Sequence, residues 1–126
     1  MYQNEDMETS IEIYKIPQGE IVISSSDSSL STGALYLNAH QSLDKHNRPV
    51  TEQLLQISGT CTVKLFNGEK LEREVVLESG SSLIIPPNQY HIHSNPTDKD
   101  SITLWKFEGD ITPIIQKIRE DNEKSL

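Results

Sequence analysis

The chain has 126 residues, of which 34% are hydrophobic and 24% are charged, which is enough sequence for one domain with a buried core. Nineteen acidic residues against eleven basic ones give a net charge of −8. This charge argues against nucleic acid or an anionic membrane surface as the main partner, because both attract clustered lysines and arginines. No apolar run approaches the roughly 20 residues that cross a bilayer, and residues 1–9 lack the basic and apolar regions of a signal peptide, so we expect a cytoplasmic protein.

Short runs with strand character follow a polar segment, residues 1–9, which we expect to be disordered. Turn signals separate these runs, and the serine-rich stretch 24–29 is predicted as a loop. Asn67-Gly68 is the strongest hairpin signal in the chain. The predicted strands are Ile11–Tyr14, Ile21–Ile23, Gly33–Leu37, Gln53–Ile57, Thr60–Phe66, Leu71–Leu77, Ser82–Pro86, Tyr90–Ser94 and Ile102–Phe107. Many short strands at this spacing predict an all-β sandwich or barrel.

The C-terminal segment has a helical pattern, which predicts one short α-helix over about residues 112–123. Thr112 is the predicted N-cap, and Pro113 suits the first helical position. The apolar residues of this helix share one face, and they are Ile111, Ile114, Ile115 and Ile118. We expect this face to pack on the barrel or on a partner subunit, and residues 121–126 to fray.

The single cysteine, Cys61, forms no internal disulfide and supplies no structural zinc cage. It stands in an alternating run of strand character, residues 60–65. This pattern favours a buried or half-buried strand thiol over a nucleophile.

Two segments combine histidines, a carboxylate and turn residues at defined spacings. The spaced residues are His46, Glu52 and Gly59 in the first segment and Gly80, Pro86, His91 and Asn95 in the second. In this order, over about residues 33–108, they resemble the two motifs of the cupin superfamily. The resemblance implies a cupin-type double-stranded β-helix, or jelly-roll, barrel with the short helix after it. One such domain would occupy residues 10–126, with a pocket inside the barrel.

The sequence departs from the cupin motifs at three positions. Asn88 replaces the middle glycine of the second motif, a mild change because asparagine tolerates positive φ. His40 stands where the first motif opens with glycine, and we expect it in a loop or at the pocket rim. Arg48 stands where the family has a second histidine, and a guanidinium cannot ligate a metal ion.

The resemblance implies that His46, Glu52 and His91 hold a divalent metal ion. Two imidazoles and a carboxylate suit a mononuclear site with open positions, and Fe, Mn, Ni, Zn or Co accept such ligands. Alternatively, Arg48 pairs with Glu52 and leaves the pocket without metal. Arg48 is also predicted to bind a carboxylate or phosphate group of a ligand.

His93 lies two residues after His91, so on a strand both side chains face the same side. It is our predicted catalytic residue, as a general base, and its alternatives are a replacement metal ligand or a core histidine. Gln56 and Trp105 are predicted to line the pocket and contact the ligand, with Tyr36 as a weaker candidate. For Trp105, the core or a subunit interface is the competing interpretation.

Two function classes follow from the resemblance. The first is a metal-dependent enzyme acting on a small polar molecule, either as a sugar or sugar-phosphate isomerase or as a dioxygenase. The second is a binding protein without metal, in which Arg48 anchors an anionic small molecule. A sensor or structural partner without a ligand is a third interpretation. The resemblance also implies a homodimer.

Overall fold

The computed structural model describes residues 10–126, which form ten strands and one helix. The strands are β1 (Glu12–Ile16), β2 (Gly19–Ser26), β3 (Leu30–Leu37), β4 (Thr51–Ser58), β5 (Cys61–Asn67), β6 (Lys70–Leu77), β7 (Ser82–Ile85), β8 (His91–Ser94), β9 (Ser101–Glu108) and β10 (Glu123–Lys124). The helix, α1, spans Thr112–Asp121 and precedes β10. The predicted all-β fold with a short C-terminal helix is therefore confirmed. The disorder expected for residues 1–9 lies outside the described residues.

Two antiparallel sheets form the jelly-roll and enclose its core. The larger sheet has the strand order β10-β1-β2-β3-β9-β4-β7, and the smaller has the order β6-β5-β8. Burial alternates along β9, where every second side chain from Ser101 to Phe107 points inward, as the two-residue period of a strand requires. The largest fully buried apolar side chains include Ile23, Leu37, Leu77 and Ile85.

The first half of the serine-rich stretch is strand and only residues 27–29 form a loop, which corrects the predicted loop over residues 24–29. β2 continues to Ser26 after a bulge near Ser24. The hydroxyls of Ser24 and Ser25 lie 2.7 and 2.8 Å from Thr32 Oγ1 on β3. Hydroxyl pairs across β2 and β3 stabilise this exposed part of the sheet, although its amino-acid composition is typical of a loop. The turn itself is short, and the Asp27 carboxylate accepts hydrogen bonds from the backbone there.

The start of α1 differs from the prediction by one residue. Thr112 is the first helical residue rather than the N-cap, and Ile111 occupies the N-cap position without a side-chain cap. The Asp110 carboxylate accepts hydrogen bonds from the Thr112 N–H at 2.9 Å and from its hydroxyl at 2.6 Å. Ile111 is 1% exposed, so core packing determines where the helix begins. The helix ends at Asp121, two residues before the predicted end.

The C-terminal tail is ordered by pairing with β1, so the expectation of fraying over residues 121–126 is wrong. β10 forms an antiparallel pair with β1. The N–H of Ile13 donates to the carbonyl of Leu126, and the N–H of Ser125 donates to the carbonyl of Ile13, both at 2.7 Å. These bonds give the backbone groups at the edge of β1 their hydrogen-bond partners. The contact is long-range, so no local sequence pattern predicts it.

The apolar face of α1 packs on the barrel of its own chain. Ile115, like Ile111, is 1% exposed and belongs to the core cluster. On the same helix, Arg119 donates from Nε and Nη2 to the two carboxylate oxygens of Glu12, at 2.9 and 2.8 Å. Over residues 10–126, no helix has the length and apolar character needed to cross a membrane.

The pair of Glu12 and Arg119 predicts a pH-dependent part of the stability. The hydrogen bonds from Arg119 hold the pKa of Glu12 below its usual value, although burial opposes the shift. A depressed carboxyl pKa stabilises the fold above the unfolded-state pKa of about 4.3, and this contribution is lost as the pH falls through the folded-state pKa. We expect Glu12→Gln to lower the free energy of unfolding by about 1 kcal/mol at pH 7, with the difference disappearing in acid.

Urea unfolding at neutral and acidic pH measures this effect. Glu74→Gln, on the exposed outer face of β6, is the matched control and is expected to change little. An equal loss of stability for Glu12→Gln at both pH values would contradict the role assigned to the ion pair.

Candidate metal centre

The chain segment before β4 lies against β8 and brings His46 opposite His91. The N–H of His46 donates to the carbonyl of His91 at 3.0 Å, and the N–H of His91 donates to the carbonyl of His46 at 2.8 Å. The N–H of Leu43 also donates to the carbonyl of His93, at 2.9 Å. These backbone bonds extend the smaller sheet by one irregular edge and determine where the His46 ring lies.

Three imidazoles converge at this edge. His91 and His93 point to the same inner face of β8 and are 1% and 3% exposed, while His46 is partly exposed. The ring centroid of His46 lies 4.4 Å from that of His91 and 5.4 Å from that of His93. One ring nitrogen of each residue lies within 4.8 Å of the other two. This spacing is short enough for one ion to contact all three imidazoles.

Glu52 approaches the imidazoles from β4 in the other sheet. Its Oε1 lies 3.1 Å from His91 Nε2, and its Oε2 lies 3.5 Å from His93 Nε2. The ion pairs of Glu52 are thus with two imidazoles and not with Arg48, the pairing that the sequence left open. The structure brings together all three predicted ligands and adds His93 to them. Their roles as ligands stay predictions.

Two backbone carbonyls orient the rings of His46 and His91. Nδ1 of His46 lies 2.7 Å from the carbonyl oxygen of Asp44, and Nδ1 of His91 lies 2.9 Å from that of Gln89. A carbonyl only accepts hydrogen bonds, so each Nδ1 carries the proton and donates it. In the neutral ring, Nε2 then keeps its lone pair. A hydrogen bond from the other ring nitrogen to a carbonyl is typical of histidines that ligate metals.

The site contains buried polar atoms for which residues 10–126 supply no hydrogen-bond partner. Glu52 Oε1, His91 Nε2 and His93 Nδ1 are buried, and none has a hydrogen-bond partner within residues 10–126. When His91 is neutral with its proton on Nδ1, the 3.1 Å contact between Glu52 Oε1 and His91 Nε2 places two electron-rich atoms face to face, and a proton on Nε2 turns the same contact into an ion pair. Unpaired buried acceptors are costly. A proton or a divalent metal ion between them removes that cost, so the residues fit a metal ion.

The charge state of the site also suits a cation. Burial lowers the pKa of His46 to about 3, with the nearby charges of His93, Arg48 and His91 acting in the same direction. His46 is therefore a neutral imidazole near pH 7. Burial pushes the pKa of Glu52 up, but the imidazoles of His91 and His93 outweigh it and hold that pKa well below its usual value. Glu52 is therefore a carboxylate.

A cavity of about 60 Å³ adjoins the cluster. Its polar lining residues are His46, Arg48, Glu52, His93 and Thr103. The rest of the wall is apolar and includes Trp105, Phe107 and the four isoleucines of the α1 face. Trp105 thus lines the cavity, and its predicted contact with a ligand stays a prediction. The helix, which the sequence did not connect with the pocket, forms part of the wall.

Gln56 and Tyr36 are not among the residues that line this cavity. The Gln56 amide donates to the carbonyl of Ser58 and to Ser101 Oγ, and its oxygen accepts from the Thr103 hydroxyl at 2.6 Å. Its polar atoms are therefore occupied by internal bonds. Tyr36 is 36% exposed on the surface of β3, which removes it from the pocket candidates.

Arg48 lines the cavity with few partners of its own. Its Nη1 donates to the Asn47 carbonyl at 3.1 Å, which is its one side-chain hydrogen bond to residues 10–126. Burial lowers the pKa of the guanidinium, and the negative charge of Glu52 opposes that shift. Arg48 therefore presents a cation to the cavity without a protein carboxylate bound to it.

Several motif residues shape the backbone instead of the cavity. Asn88 has φ of 67° and His40 has φ of 61°, the left-handed region in which glycine is most at ease. Both stand where the cupin motifs have glycine. The His40 ring pairs with Asp98 at 2.6 Å on the exposed surface, so His40 is a loop residue.

Asn95 and Cys61 are buried for structural reasons. The Asn95 amide donates to the carbonyls of Leu37, Asn38 and Lys99, and its oxygen accepts from the N–H and hydroxyl of Thr97. Cys61 is fully buried on β5, and burial raises the pKa of its thiol to about 11. A buried, protonated thiol is a core residue, as the sequence pattern indicated.

Comparison with known proteins gives one family and several similar folds. A family model described as "Cupin domain" matches residues 35–107, more than half of the chain. An RmlC-like cupin from Shewanella frigidimarina NCIMB 400 is 17% identical with a TM-score of 0.71, covering 86% of this chain and 92% of that one. KdgF from Halomonas sp. is 14% identical with a TM-score of 0.67, covering 90% and 98%.

Oxalate decarboxylase from Bacillus subtilis, a protein with Mn(II) centres, is 18% identical with a TM-score of 0.69. The match covers 86% of this chain but only 29% of that longer protein. No curated protein matches the sequence. At these identities the solved structures show a shared fold.

The hydrogen bonds of Asn95 predict a structural role for this motif residue. Asn95→Ala leaves three carbonyls and two donors without their partner, and we expect the free energy of unfolding to fall by about 3 kcal/mol. Urea unfolding measures the loss. Asn122→Ala removes one hydrogen bond, to the carbonyl of Ile118, and is expected to cost about 1 kcal/mol or less. Equal effects of the two substitutions would contradict this role.

Proposed function

The chain belongs to the cupin-domain family, and from that premise we propose that it is a metal-dependent enzyme acting on a small molecule. In this proposal His46, His91 and His93 hold a divalent metal ion, with Glu52 as the fourth ligand. The substrate occupies the adjoining cavity. The observation that carries the proposal is the group of buried acceptors, Glu52 Oε1, His91 Nε2 and His93 Nδ1, which have no partner within residues 10–126.

His93 replaces the imidazole that the family motif places at position 48. Its ring completes the group of three nitrogens that lie within 4.8 Å of one another. We therefore propose His93 as a metal ligand, in preference to the role of general base that was predicted from the sequence. A site of imidazoles and one carboxylate accepts Fe, Mn, Ni, Zn or Co. Mn is the first metal to test, since the similar oxalate decarboxylase has Mn(II) centres.

A bound divalent ion would supply Lewis-acid polarisation of a substrate oxygen, or oxygen activation if it is redox-active. The protein contributes the rest through its own residues. Carbonyls of Asp44 and Gln89 hold two imidazoles in the ligating tautomer, and the apolar wall with α1 limits the access of water. His46, which is partly exposed and lines the cavity, marks the side from which a substrate approaches.

The cavity favours some substrates over others. The mostly apolar wall of the cavity has few groups for sugar hydroxyls. Oxygenase-type or decarboxylase-type chemistry on a compact molecule therefore has more support than sugar isomerisation. Metal analysis distinguishes the metal-dependent enzyme from the alternative, which is a binding barrel without metal in which Arg48 anchors an anion. The cytoplasmic location and the homodimer stay predictions.

Metal analysis of protein purified without an affinity tag tests the proposal directly. We expect close to one divalent ion per chain, a lower melting temperature after chelation, and recovery when Mn or Fe is added back, because a ligand that binds the folded state stabilises it. Protein that carries no metal and shows no thermal shift with any of the five metals would refute the proposal.

Single histidine substitutions assign the ligands. We expect His46→Ala, His91→Ala and His93→Ala each to weaken metal affinity at least about a hundredfold. Removing a ligand costs more than the tenfold to hundredfold loss typical of changing a residue that only hydrogen-bonds to a ligand. His40→Ala removes an exposed histidine outside the cluster and is the matched control. Unchanged metal affinity in His93→Ala would contradict the assignment of His93 as a ligand and would favour its role as a general base.

A further inference from the structure

We propose that the cavity binds a small aliphatic monocarboxylate, with its carboxylate on Arg48 and its hydrocarbon part against the apolar wall. This inference rests on the proposed function, because the cavity adjoins the same metal centre. It adds the chemical class of the substrate, which neither the fold nor the ligand set supplies.

The guanidinium of Arg48 has hydrogen-bond donors that an anionic ligand would satisfy. It carries five N–H donors, and its side-chain hydrogen bonding to residues 10–126 consists of the single bond from Nη1 to the Asn47 carbonyl. Glu52, the one carboxylate among the described lining residues, is engaged by His91 and His93. A ligand carboxylate accepts two parallel bonds from a guanidinium and satisfies the donors that the protein leaves free.

The charge of the loaded site points to the same conclusion. Glu52 contributes one negative charge, whereas Arg48 and a divalent ion together contribute three positive charges. The net excess favours an anionic ligand and disfavours a cationic one. Among the described residues that line the cavity, Arg48 is the only arginine or lysine, which suits one carboxylate better than a phosphate dianion.

The wall and volume limit the rest of the ligand. Leu54, Trp105, Ile111 and Ile115 present apolar surface to the cavity, and the Thr103 hydroxyl already donates to Gln56. The cavity of about 60 Å³ compares with about 10–15 Å³ for one water. It therefore has room for a ligand larger than one water, and short carboxylates such as propanoate and butanoate are the first to test.

Calorimetric titration of the metal-loaded protein tests this inference. We expect butanoate to bind about tenfold or more tightly than butanamide, its uncharged isostere. Each methylene from acetate to butanoate should add about threefold to fourfold in affinity. 3-Hydroxypropanoate, which has as many non-hydrogen atoms as butanoate, and methylphosphonate should bind more weakly than butanoate.

Variants at position 48 locate the carboxylate. We expect Arg48→Gln to weaken butanoate binding about tenfold or more with the metal content unchanged, and Arg48→Lys to lie between the two. Arg73→Gln, on the exposed face of β6, is the control and should bind as the unaltered protein does. Wild-type butanoate affinity in Arg48→Gln, or tighter binding of 3-hydroxypropanoate than of butanoate, would overturn the inference.

The two proposals fail in different ways. If the protein holds no metal, the proposed function is wrong, and the same titrations on metal-free protein still decide whether Arg48 binds carboxylates. If metal binds as expected but Arg48→Gln leaves butanoate affinity intact, only the present inference is wrong.

Discussion

The reciprocal backbone hydrogen bonds between His46 and His91 are the constraint on which the site depends. They tie the irregular segment before β4 to β8 at 3.0 and 2.8 Å. Because both bonds are made by the main chain, the ring positions follow from strand geometry and not from the side chains themselves. The carbonyls of Asp44 and Gln89 then set the orientation of each ring. The smaller sheet and the segment bonded to it thus position the imidazoles, and the larger sheet contributes only Glu52 to the cluster.

The resemblance to the cupin motifs predicted the barrel and the meeting of His46, Glu52 and His91. The sequence also predicted the tolerance of Asn88 for positive φ, which the structure shows at 67°. It did not decide the role of His93. A two-residue period gives the face of a strand but not the depth of a side chain, and the convergence of the rings depends on how the irregular segment before β4 lies against β8.

The same limit explains the candidates that lie elsewhere. Gln56 faces inward, as its strand period suggests, yet its amide is occupied by Ser58, Ser101 and Thr103. The structure of the C-terminal end was harder still to predict from the sequence. β10 is two residues long and has no period, and the Glu12–Arg119 ion pair joins residues from opposite ends of the chain. Such long-range partners leave no local signal in a sequence.

The substitution at position 48 has a consequence beyond the loss of one ligand. A guanidinium close to a divalent ion is unfavourable unless negative charge lies near both, and Glu52 supplies only part of that charge because its oxygens lie against His91 and His93. In the proposed site, His93 on β8 restores the number of imidazoles, and Arg48 stays free at the cavity that both residues line. The proposed exchange keeps a site that can hold a metal ion and favours an anion in the cavity. In these proposals, the departure from the family motif and the chemistry of the ligand are two results of the same residue, Arg48.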